Sequence, residues 1–189
     1  MNDTRTRLLA CALDLFAARG YDAVGVQEVA ETAGVKKPTL YHYFGSKSGL
    51  LQILLNENFD ELFSSLEQAM VYHPDIVTSL RAIAAEYFNF AQKHRKFYRL
   101  QLSMMFSPPE SAEFRALLAI NQKQHQLLEA FFLRAALDHG NMQGRHQAYA
   151  ATFLGMLNTY ISLSLLGQAP MDLELAKNAV HQFMHGIFS

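Results

Sequence analysis

Cysteine, glycine and proline are scarce in this 189-residue chain, and each shortage excludes a class of protein. Cys11 is the only cysteine, so an intramolecular disulfide and a zinc site built from several thiolates are both excluded. Ten glycines and five prolines are too few for a turn-rich β architecture or a low-complexity chain. Half of the residues are apolar and 17% are charged, which is typical of a folded globular protein.

The sequence also lacks the marks of secretion and membrane insertion. No apolar segment follows Met1, so we expect no secretory signal and a cytoplasmic protein. The stretch 146–171 has no formally charged residue and is long enough to span a bilayer, but its Gln, Asn, Ser and Thr side chains argue against a membrane span. We interpret this stretch as a helix of a soluble protein that is buried on two sides.

A surplus of basic charge is missing as well, because 16 lysines and arginines face 17 acids and the net charge is −1. This balance excludes a nucleic-acid binder that is basic over its whole surface, but it permits a local basic face. No acid lies between Glu31 and Glu57, and this stretch contains Lys36, Lys37 and Lys47.

Apolar residues recur at helical spacing along almost the whole chain, and no convincing alternating strand is evident. The pattern predicts an all-α protein with nine helices. Asp3 or Thr4 is expected to cap the first helix and Ser46 the fourth. The long fourth helix begins near a domain boundary, which gives the domains 1–50 and 51–189.

Two short helices in the first domain are joined by Gly34-Val35-Lys36, which is the geometry of a helix-turn-helix. In the second of these helices, Leu40 and Phe44 are expected to point into a small core that includes Leu13, while Lys, Thr, Tyr and His side chains point outward. Such a short, anchored helix with a polar outer face suits insertion into the major groove. Lys47 follows at the start of the next helix, where it can meet a phosphate.

One stretch of the chain resembles the DNA-binding domain of the tetracycline-repressor (TetR) family of bacterial transcription regulators. Residues 20–51 read GYDAVGVQEVAETAGVKKPTLYHYFGSKSGLL, and the resemblance extends over roughly residues 4–55. Two positions depart from the family pattern. Gly25 stands where a capping Thr or Ser is usual, and Lys36 stands where a Ser that caps the recognition helix is common.

The resemblance implies a nine-helix homodimer whose first three helices read one half-site of a pseudo-palindromic operator per subunit. The family's C-terminal helices enclose a small-molecule pocket and form the dimer interface. The residues expected to contact DNA are Gln27, Lys36, Lys37, Pro38, Thr39, Tyr41, His42, Tyr43 and Lys47.

The later helices are rich in Phe, Tyr and Met, and most of these side chains are expected to form core. A few of them are predicted to line a mostly apolar pocket with some polar groups: Phe63, Tyr98, Met105, Gln122, His125, Phe153, Met156 and Tyr160. Surplus apolar area on the last two helices predicts a dimer interface through Leu157, Ile161, Val180, Phe183 and Ile187.

The function expected from these observations is a ligand-responsive DNA-binding regulator, a repressor that a small apolar or aromatic effector releases from DNA. Two alternatives stay open. The first is a DNA-binding regulator controlled by a protein partner without a small effector, and the second is an all-helical enzyme. No converging nucleophile, base or metal set supports an enzyme. His181 and His185 are four residues apart, but no third ligand is identifiable, so neither a metal nor a cofactor is expected.

Overall fold

The computed structural model describes residues 2–186, and every regular element in that range is helical. The prediction of an all-α fold with nine helices is confirmed for these residues. The elements are α1 (Asn2–Arg19), α2 (Val26–Thr32), α3 (Lys37–Phe44), α4 (Lys47–Ala69), α5 (Ile76–Lys93), α6 (Arg95–Met104), α7 (Ala112–Ala135), a 3-10 turn (Gly140–Met142), α8 (His146–Leu165) and α9 (Leu173–His185).

The chain divides into two compact units, and each unit is formed by two separate segments of the sequence. Unit 1 comprises Met1–Asp60 and Lys96–Ala119, and unit 2 comprises Glu61–Arg95 and Ile120–Ser189. Helices α4 and α7 contribute residues to both units. The functional division into 1–50 and 51–189 stays a prediction. Among the described residues, no helix combines the length and hydropathy that crossing a membrane requires.

The core of unit 1 holds the three N-terminal helices together. Leu40 and Phe44 of α3 are buried, as predicted, and they share this core with residues of α1 and α2. Leu13 was expected there, but its side chain is only half-buried. The buried side chains of α1 are instead Leu8, Leu9, Ala12 and Phe16.

Two N-terminal helix caps were predicted from the sequence, and the structure confirms the one of α4 but not the one of α1. The Ser46 hydroxyl accepts a hydrogen bond of 2.9 Å from the backbone N–H of Gly49, which confirms Ser46 as the cap of α4. The expected cap of α1 was wrong, because α1 already begins at Asn2 and therefore includes Asp3 and Thr4. Asp3 lies in the first turn, where its negative charge suits the helix dipole.

Unit 2 is built mainly from α5, α8 and α9, which pack against one another. The burial of their side chains corrects part of the predicted dimer interface. Leu157, Ile161 and Val180 are each 0% exposed, so they lie in the core of the subunit and supply no surface to a partner. Phe183 is half-buried, and Ile187 lies outside the described residues.

Gly49 provides a test of the tight junction between α3 and α4. A Cβ atom at Gly49 would lie 2.1 Å from the carbonyl oxygen of Phe44, which is backbone and cannot rotate away. We therefore expect Gly49→Ala to lower the free energy of unfolding by more than about 1 kcal/mol, although alanine is the better helix former. Gly155→Ala, at an exposed helical position where a Cβ meets no described atom within 4 Å, is the control and should not lower it. Denaturant unfolding measures both variants, and equal stabilities would contradict the close approach.

Candidate nucleic-acid interface

The turn between α2 and α3 places α3 at the surface of unit 1, with one side against the core and the other exposed. Gly34 has a φ of +66°, a left-handed conformation that glycine adopts without strain, and the Val35 N–H donates a 2.9 Å hydrogen bond to the carbonyl of Ala30. Lys36 occupies the N-cap of α3 and makes no side-chain capping bond, as its departure from the family pattern led us to expect. Pro38 lies in the first turn, where a missing N–H is tolerated.

The surface of α3 that is not buried with Leu40 and Phe44 carries most of the residues predicted to contact DNA. Its exposed side chains are basic, aromatic or polar rather than acidic, and Lys37 Nζ lies 5.7 Å from the centroid of the Tyr41 ring. In and beside this helix, Lys36, Lys37, Pro38, Tyr41 and His42 are exposed, while Thr39 and Tyr43 are half-buried.

Carboxylates neutralise several arginine and lysine side chains of unit 1, but not the two lysines at the start of α3. Arg5 pairs with Glu57, and Arg19 pairs with Glu28. Among the described ion pairs, none includes Lys36 or Lys37. These two cations are therefore available to an external anion such as a phosphate.

Gln27 lies on the exposed surface of α2, but its amide already has a partner. Its Nε2 donates a 2.6 Å hydrogen bond to Oε1 of Glu31, one turn further along the same helix. A contact between Gln27 and DNA would have to break or share this bond.

Lys47 lies at the start of α4 with its ammonium folded against the protein. Its Nζ is 4.0 Å from the centroid of the Tyr21 ring and 3.4 Å from the carbonyl oxygen of Asp22. Burial lowers the pKa of Lys47, while the carboxylates of Asp22 and Glu113 act in the opposite direction. Burial also raises the pKa of Tyr21, and the same two acids add to that effect.

The sequence pattern predicts neither the contacts of Lys47 with Tyr21 and Asp22 nor the effect of Glu113 on the pKa of Lys47. Tyr21 and Asp22 follow Gly20 in the short connection between α1 and α2. An aromatic residue in such a connection is only a weak indication that it contacts a lysine elsewhere in the chain. Glu113 is distant in sequence, at the start of α7, and no spacing rule connects it to residue 47.

The residues predicted to line an effector pocket do not belong to a single unit. Tyr98 and Met105 lie in unit 1, and the other members lie in unit 2. Their burial also differs: Tyr98, Phe63 and Phe153 are buried, Met105, His125, Met156 and Tyr160 are half-buried, and Gln122 is exposed.

Unit 2 contains a cavity of about 190 Å³ that none of those predicted residues lines. Aromatic rings form part of its wall, and the buried Nε2 of His139 has no hydrogen-bond partner among residues 2–186. The lining residues are Ile76, Leu80, Phe132, His139, Asn141, Met142, Tyr149, Phe183 and Met184.

Phe183 belongs to this cavity and to an aromatic cluster within the subunit. Its ring centroid lies 5.1 Å from that of Phe153, 6.0 Å from that of Phe132 and 6.3 Å from that of Tyr149. A charged substitution at Phe183 would therefore damage unit 2 itself, so it cannot report on dimerisation alone.

The histidine pair on α9 shows no metal-binding arrangement. The rings of His181 and His185 lie 4.6 Å apart, and both side chains are exposed. In the part of the chain that the structure describes, no group of three or more potential ligands could hold a metal ion.

Comparisons with known proteins agree with the helix-turn-helix geometry. Residues 8–54 match the family described as bacterial regulatory proteins, tetR family. The chain is 29% identical over 185 residues to the HTH-type transcriptional activator FasR of Mycolicibacterium smegmatis, covering 98% of this chain and 83% of that protein. It is also 35% identical over 79 residues to the HTH-type transcriptional repressor KstR2 of Rhodococcus jostii, covering 42% of this chain and 39% of that protein.

Among solved structures, the fold is similar to that of the transcriptional regulator FadR from Bacillus subtilis in complex with stearoyl-CoA. The TM-score is 0.81 at 17% identity, and the match covers 96% of this chain and 98% of that chain. At this identity the likeness concerns the fold alone.

Proposed function

Because this chain belongs to the TetR family of bacterial transcription regulators, we propose that it is a dimeric repressor that binds a pseudo-palindromic operator and leaves it when a small apolar or aromatic effector binds. The family relatives are regulators rather than enzymes. The observation that carries the proposal is the surface of α3, where basic and aromatic side chains are exposed while Leu40 and Phe44 are buried.

In the proposed complex, α3 lies in the major groove of each half-site. Thr39 and His42 contact base edges, because hydroxyl and imidazole groups form directed hydrogen bonds that differ between base pairs. Lys36, Lys37 and Lys47 contact phosphates, which fix the register of the helix without reading sequence. Tyr41 and Tyr43 add hydroxyl groups and ring surface along the same face.

The phosphate and base contacts can be distinguished by substitution. We expect Lys47→Ala to weaken binding to every duplex alike and to flatten the slope of log affinity against log salt by about one unit, because one fewer counterion is released. His42→Ala should instead alter the preferred sequence. Fluorescence anisotropy against a selected operator and a random duplex, at several salt concentrations, measures both effects. An unchanged affinity and salt slope for Lys47→Ala would contradict this docking.

The exposed face of α8 supports the proposal of a dimer. This helix has no charged residue after its N-cap, Arg145, and its outer face carries small side chains that allow another helix to approach closely. The exposed residues on this face are Ala148, Ala151, Thr152, Gly155 and Thr159. This face, rather than Leu157 or Ile161, is the surface of α8 that can meet a partner.

Gly155 offers a clean test of that interface. A Cβ at Gly155 meets no atom within 4 Å in the subunit, so a longer side chain there should be tolerated by the monomer. We expect Gly155→Glu to place a charge between subunits, to shift sedimentation from dimer to monomer and to lower operator affinity. The matched control is Ala130→Glu, an exposed position on α7 that should stay dimeric. A Gly155→Glu protein that is fully dimeric would assign the interface to another surface.

The cavity of unit 2 supports control by a small molecule over control by a protein partner. A cavity of about 150 Å³ can admit benzene, so a volume near 190 Å³ suits one aromatic ring with a small polar substituent. The unpartnered Nε2 of His139 offers that substituent a hydrogen bond. A long acyl chain, such as that of the stearoyl-CoA in the FadR complex, would require this cavity to enlarge.

Effector and operator should oppose each other in a measurable way. We expect phenol, used as a probe of the cavity, to weaken operator binding at saturation, and the operator to weaken phenol binding by the same factor, about 5- to 150-fold. Calorimetric titration of phenol into free and operator-bound protein measures this factor, and stearoyl-CoA is the second probe. His139→Leu should reduce phenol affinity without changing operator affinity in the absence of phenol. Equal affinity of both probes for free and operator-bound protein would contradict ligand-induced release.

A further inference from the structure

The ammonium of Lys47 is held by the protein at the position where a phosphate contact is proposed. It is close to the Tyr21 ring and to the Asp22 carbonyl, and the side chain is half-buried rather than extended into solvent. A cation over an aromatic face is attracted by the electrons of the ring. Lys47 must therefore give up these contacts, at least in part, before its ammonium can reach a phosphate.

Glu113 is a buried acid in the same unit, and one of its carboxylate oxygens has no hydrogen-bond partner among the described residues. It is the second residue of α7, its side chain is only 7% exposed, and its Oε2 accepts no hydrogen bond. Burying a carboxylate oxygen without a hydrogen-bond partner is unfavourable, so this oxygen requires a specific explanation. The negative charge of Glu113 stabilises the N-terminus of α7, but this explains its burial only in part, because an exposed acid would stabilise the helix equally well.

The starts of α4 and α7 lie next to each other, which explains how Glu113 can act on Lys47. Ser48 and Gln52 of α4 face Ala112, Arg115 and Ala116 of α7 across a shallow cleft of about 350 Å³. The residues on either side of Glu113 therefore lie beside the turn of α4 that follows Lys47. Independently, Glu113 exerts an electrostatic effect on the pKa of both Lys47 and Tyr21.

We propose that Glu113 is a positioning residue that holds the Lys47 ammonium against Tyr21 and the Asp22 carbonyl, and thereby lowers the affinity of the free protein for DNA. The proposal rests on the proposed DNA-binding function of this unit. Because the restraint acts on a phosphate contact, it lowers affinity for specific and random duplexes alike. Through this restraint, the region around the start of α7 influences DNA binding although Glu113 itself contacts no base.

The direct test is Glu113→Gln, which keeps the size of the side chain and removes its charge. We expect affinity for both operator and random duplex to rise about two- to fivefold, the range expected for loss of one partly screened charge interaction. The salt slope should not change, because Lys47 still contacts its phosphate. Glu110→Gln, an exposed acid three residues earlier, changes the net charge equally and should leave affinity unchanged.

A double-mutant cycle with Lys47→Ala separates restraint of Lys47 from direct repulsion of DNA. If Glu113 acts through Lys47, Glu113→Gln has no effect once Lys47 is alanine. The same gain in both backgrounds would overturn the proposal, and so would an unchanged or weaker affinity of the single variant. Glu113→Leu, carried through the same cycle, is the second uncharged variant should Glu113→Gln fold poorly, and thermal unfolding verifies both.

A measurement without DNA keeps this proposal distinguishable from the proposed function. The pKa of the Lys47 ammonium can be followed by NMR with labelled lysine. Since Glu113 favours the charged form of Lys47, Glu113→Gln should lower this pKa further, and Glu110→Gln should not. An unchanged pKa in Glu113→Gln overturns the restraint even if the protein binds DNA, whereas a lowered pKa in a protein that does not bind duplex DNA places the failure in the proposed function.

Discussion

The burial of Leu40 and Phe44 is the constraint on which the rest of the proposed DNA-binding surface depends. Helix α3 has eight residues, a length at which an isolated helix is unstable in water. Its orientation is therefore set by the two side chains that it buries against α1 and α2, at 0% and 6% exposure. Burying side chains of this size contributes about 1.5–3 kcal/mol each. Once these two residues point inward, the helical period places His42 on the opposite side of α3 and Tyr41 on its flank, and both side chains are exposed.

Most of unit 1 could be predicted from the sequence because its signals are local. The glycine at the turn, the proline in the first turn of α3 and the serine before α4 each act within a few residues, and Gly34, Pro38 and Ser46 adopt the expected roles. The contacts of Lys47 were not predictable in the same way. Glu113 belongs to α7, and no periodicity connects residues 47 and 113, which are distant in the chain.

Unit 2 shows why apolar content alone does not identify an interface or a pocket. The surplus of apolar side chains on α8 and α9 was interpreted as a dimer interface. Leu157, Ile161 and Val180 are instead buried by packing within the subunit. Phe183 joins an aromatic cluster with Phe132 and lines the cavity instead. A hydrophobic pattern indicates that a residue is buried. It does not indicate which residues bury it, because that depends on how helices distant in the sequence pack together.

We propose that α3 of each subunit lies in the major groove of its half-site, and base-methylation interference tests this docking most directly. A duplex selected from a random pool is methylated at guanine N7, which faces the major groove, and at adenine N3, which faces the minor groove. We expect interference at guanine N7 in two patches whose centres are about one helical turn, or a multiple of it, apart. Interference confined to adenine N3, or a single patch of N7 interference, would contradict it.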